Sequence, residues 1–204
     1  MNRYGKISGM LLKNEGENME NKGDTIYIML SFTGTILSRI VKVVTLREYS
    51  HVSVALDLEF NSLYSFGRIN PRNPFSGGFV KEEIESGTYA LFKNTVCQVY
   101  SLNVTPEQFS DLKVFIDEFI ANKDDYKFNV IGLFGPMINK PINKENKYFC
   151  SQFVGKGLLE SKIHDFGKDV GLIKPIEFAK IPDLKLLFEG KLQDYPQFLK
   201  SLKE

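Results

Sequence analysis

From Ser50 to Leu56 the chain alternates as an extended strand does. Val52, Val54 and Leu56 fall on one side and His51, Ser53 and Ala55 on the other. Asp57 to Asn61 has the composition of a turn, and Ser62 to Arg68 alternates again. The two stretches therefore predict an antiparallel hairpin. On the returning strand Leu63, Ser65 and Gly67 share one face, and Tyr64, Phe66 and Arg68 share the other. The face that holds His51 is small and polar. Such a face is a poor packing surface and suits the floor of a site, although a strand histidine also has a purely structural reading.

The flanking elements fit a mixed fold. Thr25 to Ser31 is apolar enough for a buried first strand, and Gly34 breaks it. Thr35 to Leu46 places Ile36, Leu37, Ile40, Val43 and Val44 on one helical face, which predicts a short amphipathic helix. Asn70 to Gly78 is a loop by composition, and Phe79 to Glu85 reads as a short strand. Thr88 to Phe92 and Thr95 to Leu102 read as two further strands, with Cys97 in the core. Thr105-Pro106-Glu107-Gln108 starts a helix: a capping threonine, a proline at the first position and an early acid. Phe109, Leu112, Phe115, Ile116, Phe119 and Ile120 then repeat at helical spacing to about Asn122. Pro136 to Lys147 reads as loop, Pro175 to Phe178 as a short helix, and Asp183 to Phe188 as extended chain. The last segment should pack through Tyr195, Phe198 and Leu202.

A chain of 204 residues with 43% hydrophobic and 25% charged residues is long enough for one soluble domain with a real core. Residues 1–24 are polar and read as a flexible tail, with Met19 offering a second start, and residues 25–204 read as the domain. Seventeen Phe and nine Tyr with no Trp imply an aromatic core. The net charge of +1 gives no general support to nucleic-acid or anionic-membrane binding. No stretch reaches the roughly 18 apolar residues of a membrane span. Met10-Leu11-Leu12 is too short for a signal peptide and is followed at once by charge. A cytoplasmic location is therefore the expectation. Two cysteines are too few for a disulfide framework, and no spacing of His, Cys, Asp and Glu suggests a metal; no cofactor is expected.

Tyr148-Phe149-Cys150-Ser151-Gln152-Phe153-Val154 is the second informative stretch. Loop-like residues precede it, while Phe153, Val154, Leu158 and Leu159 recur at helical spacing after it, so Cys150 sits where a loop becomes a helix. Unpaired amides and a partial positive charge at a helix start favour a thiolate. A buried, inert cysteine is the alternative.

Together, Ser50-His51-Val52-Ser53-Val54 on a strand, Tyr126-Lys127-Phe128-Asn129, and Tyr148 to Val154 at a helix start resemble the circularly permuted NlpC/P60 papain-like proteins. In that group the histidine strand precedes the cysteine helix, as here. The resemblance covers roughly Thr25 to Leu159. It implies an α+β papain-like core, an antiparallel sheet packed against the cysteine helix, and a Cys/His hydrolase or acyl-transfer site for amide or ester bonds.

The chemistry such a pair requires can be stated independently. Cys150 would attack a carbonyl carbon, and His51 would protonate the leaving group and then activate water. The Cys150 backbone N–H would donate to the oxyanion. A third group should orient the imidazole. The family pattern points to the strand after the histidine, where the matching face offers Ser65, which is also readable as a small residue under the sheet; Glu82 and Glu83 are the alternatives. Tyr126 corresponds to a family tyrosine near the oxyanion, or is an aromatic lid on the core. Ser151 and Gln152 could supply further donors or simply satisfy the first helical turn. His164 reads as solvated. The expected substrate is a peptide, as in cell-wall fragments, or a lipid-like amide or ester. A ligand-binding module with little catalysis is the competing class, and the oligomeric state is open.

Overall fold

The hairpin lies inside a mixed α+β fold. The structure, a computed structural model, describes residues 24–34, 49–70, 72–73 and 76–204. The expected tail, apart from Asp24, and the expected helix from Thr35 to Leu46 lie outside the described residues, as do Pro71, Pro74 and Phe75 of the expected loop. In chain order the strands are β1 (Asp24–Phe32), β2 (His51–Ala55), β3 (Leu63–Arg68), β4 (Gly77–Glu82), β5 (Val96–Val104), β6 (Lys127–Phe128), β7 (Lys147–Tyr148) and β8 (Lys185–Lys191). Six of them form one antiparallel sheet in the order β4-β3-β2-β1-β5-β8, while β6 and β7 pair in parallel. The helices are α1 (Gly87–Leu91), α2 (Pro106–Ala121), α3 (Gly135–Ile138), α4 (Cys150–Glu160) and α5 (Tyr195–Ser201).

Alternation divides the sheet into two buried faces. Ile26, Ile28 and Leu30 of β1, Val52 and Val54 of β2, and Phe66 of β3 point to one side. They pack with Leu112, Phe115, Ile116 and Phe119 of α2 and with Phe153, Val154 and Leu158 of α4. The Phe153 ring lies 5.0 to 5.5 Å from those of Phe66, Phe79, Phe115 and Phe119, so the aromatic composition builds the seam between helices and sheet. The opposite face carries Met29, Ala55, Leu63, Cys97 and Val99. It is covered by Phe60, Tyr89, Leu192 and Tyr195.

Local chemistry explains most boundaries. Thr105 accepts from the Gln108 backbone N–H while the Gln108 side chain accepts from the Thr105 N–H, a reciprocal cap that fixes the start of α2. Gly157 lets α4 approach α2: a Cβ there would stand 2.9 Å from the Phe115 ring. The stretch expected as a strand from Thr88 to Phe92 is instead α1. An apolar run this short carries no decisive period. Helical spacing turns Tyr89 into the second core and leaves Leu91 outside. Part of the expected loop after Pro136 is α3, and the extended piece near Asp183 is β8, paired along β5.

Candidate active site

The sheet opens where His51 stands. β2 is paired with β1 through Ser31–His51, but it is paired with β3 only at Val54–Tyr64 and Ala55–Leu63. Back from there the β2–β3 ladder has parted, which strands the Val52 carbonyl. The buried Ser65 hydroxyl donates to that carbonyl at 2.7 Å. Ser65 thus repairs the end of a ladder. It is not the group that holds the imidazole.

Glu82 holds it. His51 Nε2 lies 2.8 Å from Glu82 Oε1. The other carboxylate oxygen accepts from Ser53 Oγ and from Tyr89 Oη at 3.2 Å, and Tyr89 Oη in turn lies 3.4 Å from Ser31 Oγ. The small polar face of the hairpin is therefore a hydrogen-bonded network under the sheet. Gly67 lies beside it: a Cβ there would stand at ordinary contact distance, 3.4 Å from Glu82 Oε1 and 3.8 Å from His51 Cε1. Glu82 was legible as an alternative orienter but not as the preferred one, because it comes from β4, a strand beyond the hairpin. Register supplies the missing information. Leu63 opposite Glu82 puts that carboxylate on the face shared by Ser65 and Gly67.

Burial works against a charged imidazole, yet the Glu82 carboxylate and Cys150 beside it outweigh burial and hold the His51 pKa well above its usual 6.5. Burial likewise opposes charge on Glu82, and the His51 charge with the His51, Ser53 and Tyr89 hydrogen bonds overcomes it, leaving that carboxyl below its usual 4.5. Cys150 acts on His51 both by charge and as a side-chain hydrogen-bond partner, although the two are 99 positions apart in sequence. Val52 and Val54 face α4 while His51 faces Glu82. Since a carboxylate only accepts, Nε2 carries the proton and Nδ1 is the nitrogen left for the sulfur.

Cys150 is the first residue of α4 and is buried. The helix is preceded by Phe149, which has no side-chain acceptor, and its first turn contains no acid. The leading amides are therefore not occupied by a side-chain cap. They border a narrow cleft of about 20 Å³, lined by Ser50, Leu133, Pro136, Phe149, Cys150, Ser151, Ile173, Lys174 and Pro175. That volume accommodates about one water-sized group. Ser50 Oγ in the wall of this cleft is buried and has no hydrogen-bond partner among the described residues. Sequence reading passed over it as the residue before the histidine.

The remaining expected residues have other employment. Ser151 donates to the Ile173 carbonyl at 2.6 Å and anchors the cleft wall. Gln152 Nε2 donates to Asn143 Oδ1, and Asn143 Nδ2 donates to Asp169, so the amide chain is oriented by a carboxylate and ties the loop before α4 to the segment after it. Tyr126 stacks on Phe119 at 4.2 Å and meets Tyr148 edge-on, which makes it a lid on the aromatic core. His164 packs edge-on against Phe166. Cys97 is buried under β5, and burial first, then Asp194 and Glu189, push its thiol up to about 12. Among the described residues no group of His, Cys, Asp and Glu is arranged to hold a metal ion, and no helix is long and apolar enough to cross a membrane. Compared with models of known protein families and with curated proteins, the chain matches none.

Proposed function

We propose that this chain is a cysteine-dependent hydrolase of amide or ester bonds, built on a permuted NlpC/P60-like, papain-type arrangement. The observation that carries the reading is the row Cys150–His51–Glu82: a cysteine at an uncapped helix start, an imidazole on which it acts, and a half-buried carboxylate on the imidazole's Nε2. The Cys150 sulfur attacks the substrate carbonyl carbon as a thiolate, and the carbonyl oxygen takes up the displaced electron pair. The leading amide of α4 and Ser50 Oγ donate to that oxygen. The imidazolium, favoured by Glu82, gives its proton to the leaving nitrogen or oxygen as the bond to carbon breaks, and a thioester remains on Cys150. His51, now neutral, takes a proton from water as the water oxygen attacks. The sulfur leaves as thiolate and the acid product departs. Glu82 keeps the proton on Nε2 throughout, which positions Nδ1 for both transfers.

The competing reading as a non-catalytic binding module drew its support from the lack of a carboxylate behind the imidazole, and Glu82 removes that support. The acyl group belongs, in this reading, to a cell-wall peptide fragment or to a lipid-like amide or ester; the mostly apolar lining of the cleft favours neither over the other. The test is the rate of thiol alkylation against pH. Cys150 should label rapidly at pH 6 and Cys97 should not, and His51→Ala should abolish the difference. Equal, slow labelling of both cysteines at pH 6 and pH 8 would return the chain to the binding-module class.

A further inference from the structure

Residues 127–147 form one excursion from the fold, closed at its neck by the β6–β7 pair. Asn129 fastens it from within, through its backbone N–H to the Tyr148 carbonyl at 2.8 Å and its side chain to the Ile142 carbonyl at 2.8 Å. The excursion is helical from Ile131 to Ile138, first as a tight turn and then as α3. Its polarity is reversed from that of an ordinary surface helix. Gly132 and Gly135 are buried, and Leu133 and Pro136 line the Cys150 cleft. Val130, Ile131, Phe134, Met137 and Ile138, at positions i, i+1, i+4, i+7 and i+8, face outward with 46% to 62% of their surface exposed. Half of the large exposed apolar side chains among the described residues are thus gathered on this one stripe. A contiguous apolar patch of this kind marks a contact surface.

The charge at the neck identifies the partner. Lys127 and Lys147 are register partners across β6 and β7, and Lys144 bridges to Lys147. All three are exposed, and none forms an ion pair among the described residues. Lys140 adds a further exposed cation at the end of α3. With Glu145 as its one acid, residues 127–147 carry a net +3, which the overall charge of +1 conceals. We propose that the excursion is a docking surface for an anionic lipid bilayer, with the Ile131–Phe134–Ile138 stripe dipping into the acyl boundary and Lys127, Lys144 and Lys147 resting on the headgroups. An apolar stripe bordered by lysines is the composition of an interfacial helix. A protein interface would favour Tyr, Trp and Arg and disfavour Lys, and residues 127–147 contain no Arg and no Trp. The inference concerns binding and stands whether or not Cys150 turns over a substrate.

Flotation of the purified full chain with vesicles tests this. Vesicles of phosphatidylcholine with phosphatidylglycerol should carry the protein, high salt should release it, and vesicles of phosphatidylcholine alone should bind it far more weakly. Replacing Lys127, Lys144 and Lys147 by Gln should weaken partitioning about fivefold for each lysine and about a hundredfold together. Ile131→Ser with Ile138→Ser should also release the protein while leaving its melting temperature unchanged, since each residue has more than half of its surface exposed. Failure to bind anionic vesicles overturns the proposal. So does binding that is indifferent to lipid charge and to the lysines. Self-association or capture of an acidic protein, abolished by the same substitutions without any vesicle binding, would assign the stripe to a protein partner and equally overturn it.

Discussion

Replacing Glu82 by Gln keeps the shape of the side chain and removes its charge. In the native site the carboxylate accepts from His51, Ser53 and Tyr89. The amide still accepts from a hydroxyl, but it presents a neutral group to Nε2. A hydrogen bond to a charged group contributes about 1.5–3 kcal/mol, and one pKa unit corresponds to about 1.36 kcal/mol. Losing the His51 bond should therefore withdraw a contribution of that order from the imidazolium and lower the His51 pKa. Burial, which opposes the imidazolium, would then be countered only by Cys150. The assay is an NMR titration of the imidazole signals. The chain has two histidines, so His164 supplies the only other ring in the spectrum. Native His51 should titrate well above 6.5, and Glu82→Gln should move it down. Alkylation of Cys150 at pH 6 should fall about ten- to a hundredfold in parallel. An unchanged His51 titration in the Gln variant would refute the reasoning, because it would mean that the carboxylate does not act on the ring.

The same pair sets a pH dependence of stability. His51 binds its proton more tightly folded than unfolded, so its contribution is complete below about pH 6.5 and is lost as pH rises through the raised value. Glu82 contributes above about pH 4.5 and loses that contribution as pH falls through its depressed value. Urea unfolding across pH should give a maximum between these limits that Glu82→Gln flattens. Ser50→Ala should separate stability from reactivity. Removing an unpartnered buried hydroxyl should leave the unfolding free energy the same or raise it by about 1 kcal/mol, whereas acyl transfer should slow at least about tenfold. Ser65→Ala should do the reverse. It leaves the Val52 carbonyl unpaired and costs about 1–2 kcal/mol in denaturant titration, while the pH profile of Cys150 alkylation stays where it was. Phe153→Ala should cost about 3–5 kcal/mol, since its ring is wholly buried between four others.

Much of this architecture was readable because it is written in period. The alternation around His51 gave the hairpin, and the spacing from Phe109 to Ile120 with the Thr105 cap gave α2. The loop-to-helix change at Cys150 gave α4. What depends on register between distant segments was not readable. Glu82 reaches His51 only because Leu63 pairs with Glu82 across β3 and β4, and nothing in the local pattern of Phe79 to Glu85 says which acid faces inward. Ser65 looked suitable because it shares the right face. The opening of the β2–β3 ladder, which occupies its hydroxyl, is a tertiary event. Thr88 to Phe92 escapes sequence reading for a third reason: five mostly apolar residues fit either period, and the helix places Tyr89 against Glu82. The apolar stretch from Val130 to Phe134 reads from sequence equally as pocket lining or as core, because apolar residues are expected inside. Only the burial of Gly132 and Gly135 shows which side of that turn faces the protein.

The most direct test of the central claim is to trap the acyl group. The protein mixed with an activated acetyl ester should release the leaving group in a burst, and intact-mass analysis of the quenched sample should find one acetyl group on Cys150. That adduct should be absent in Cys150→Ser and should fail to form at a comparable rate in His51→Ala. An acetyl group on Cys97 or on surface lysines instead, or equal labelling of the His51→Ala protein, would contradict the assignment of Cys150 and His51 as one reacting unit.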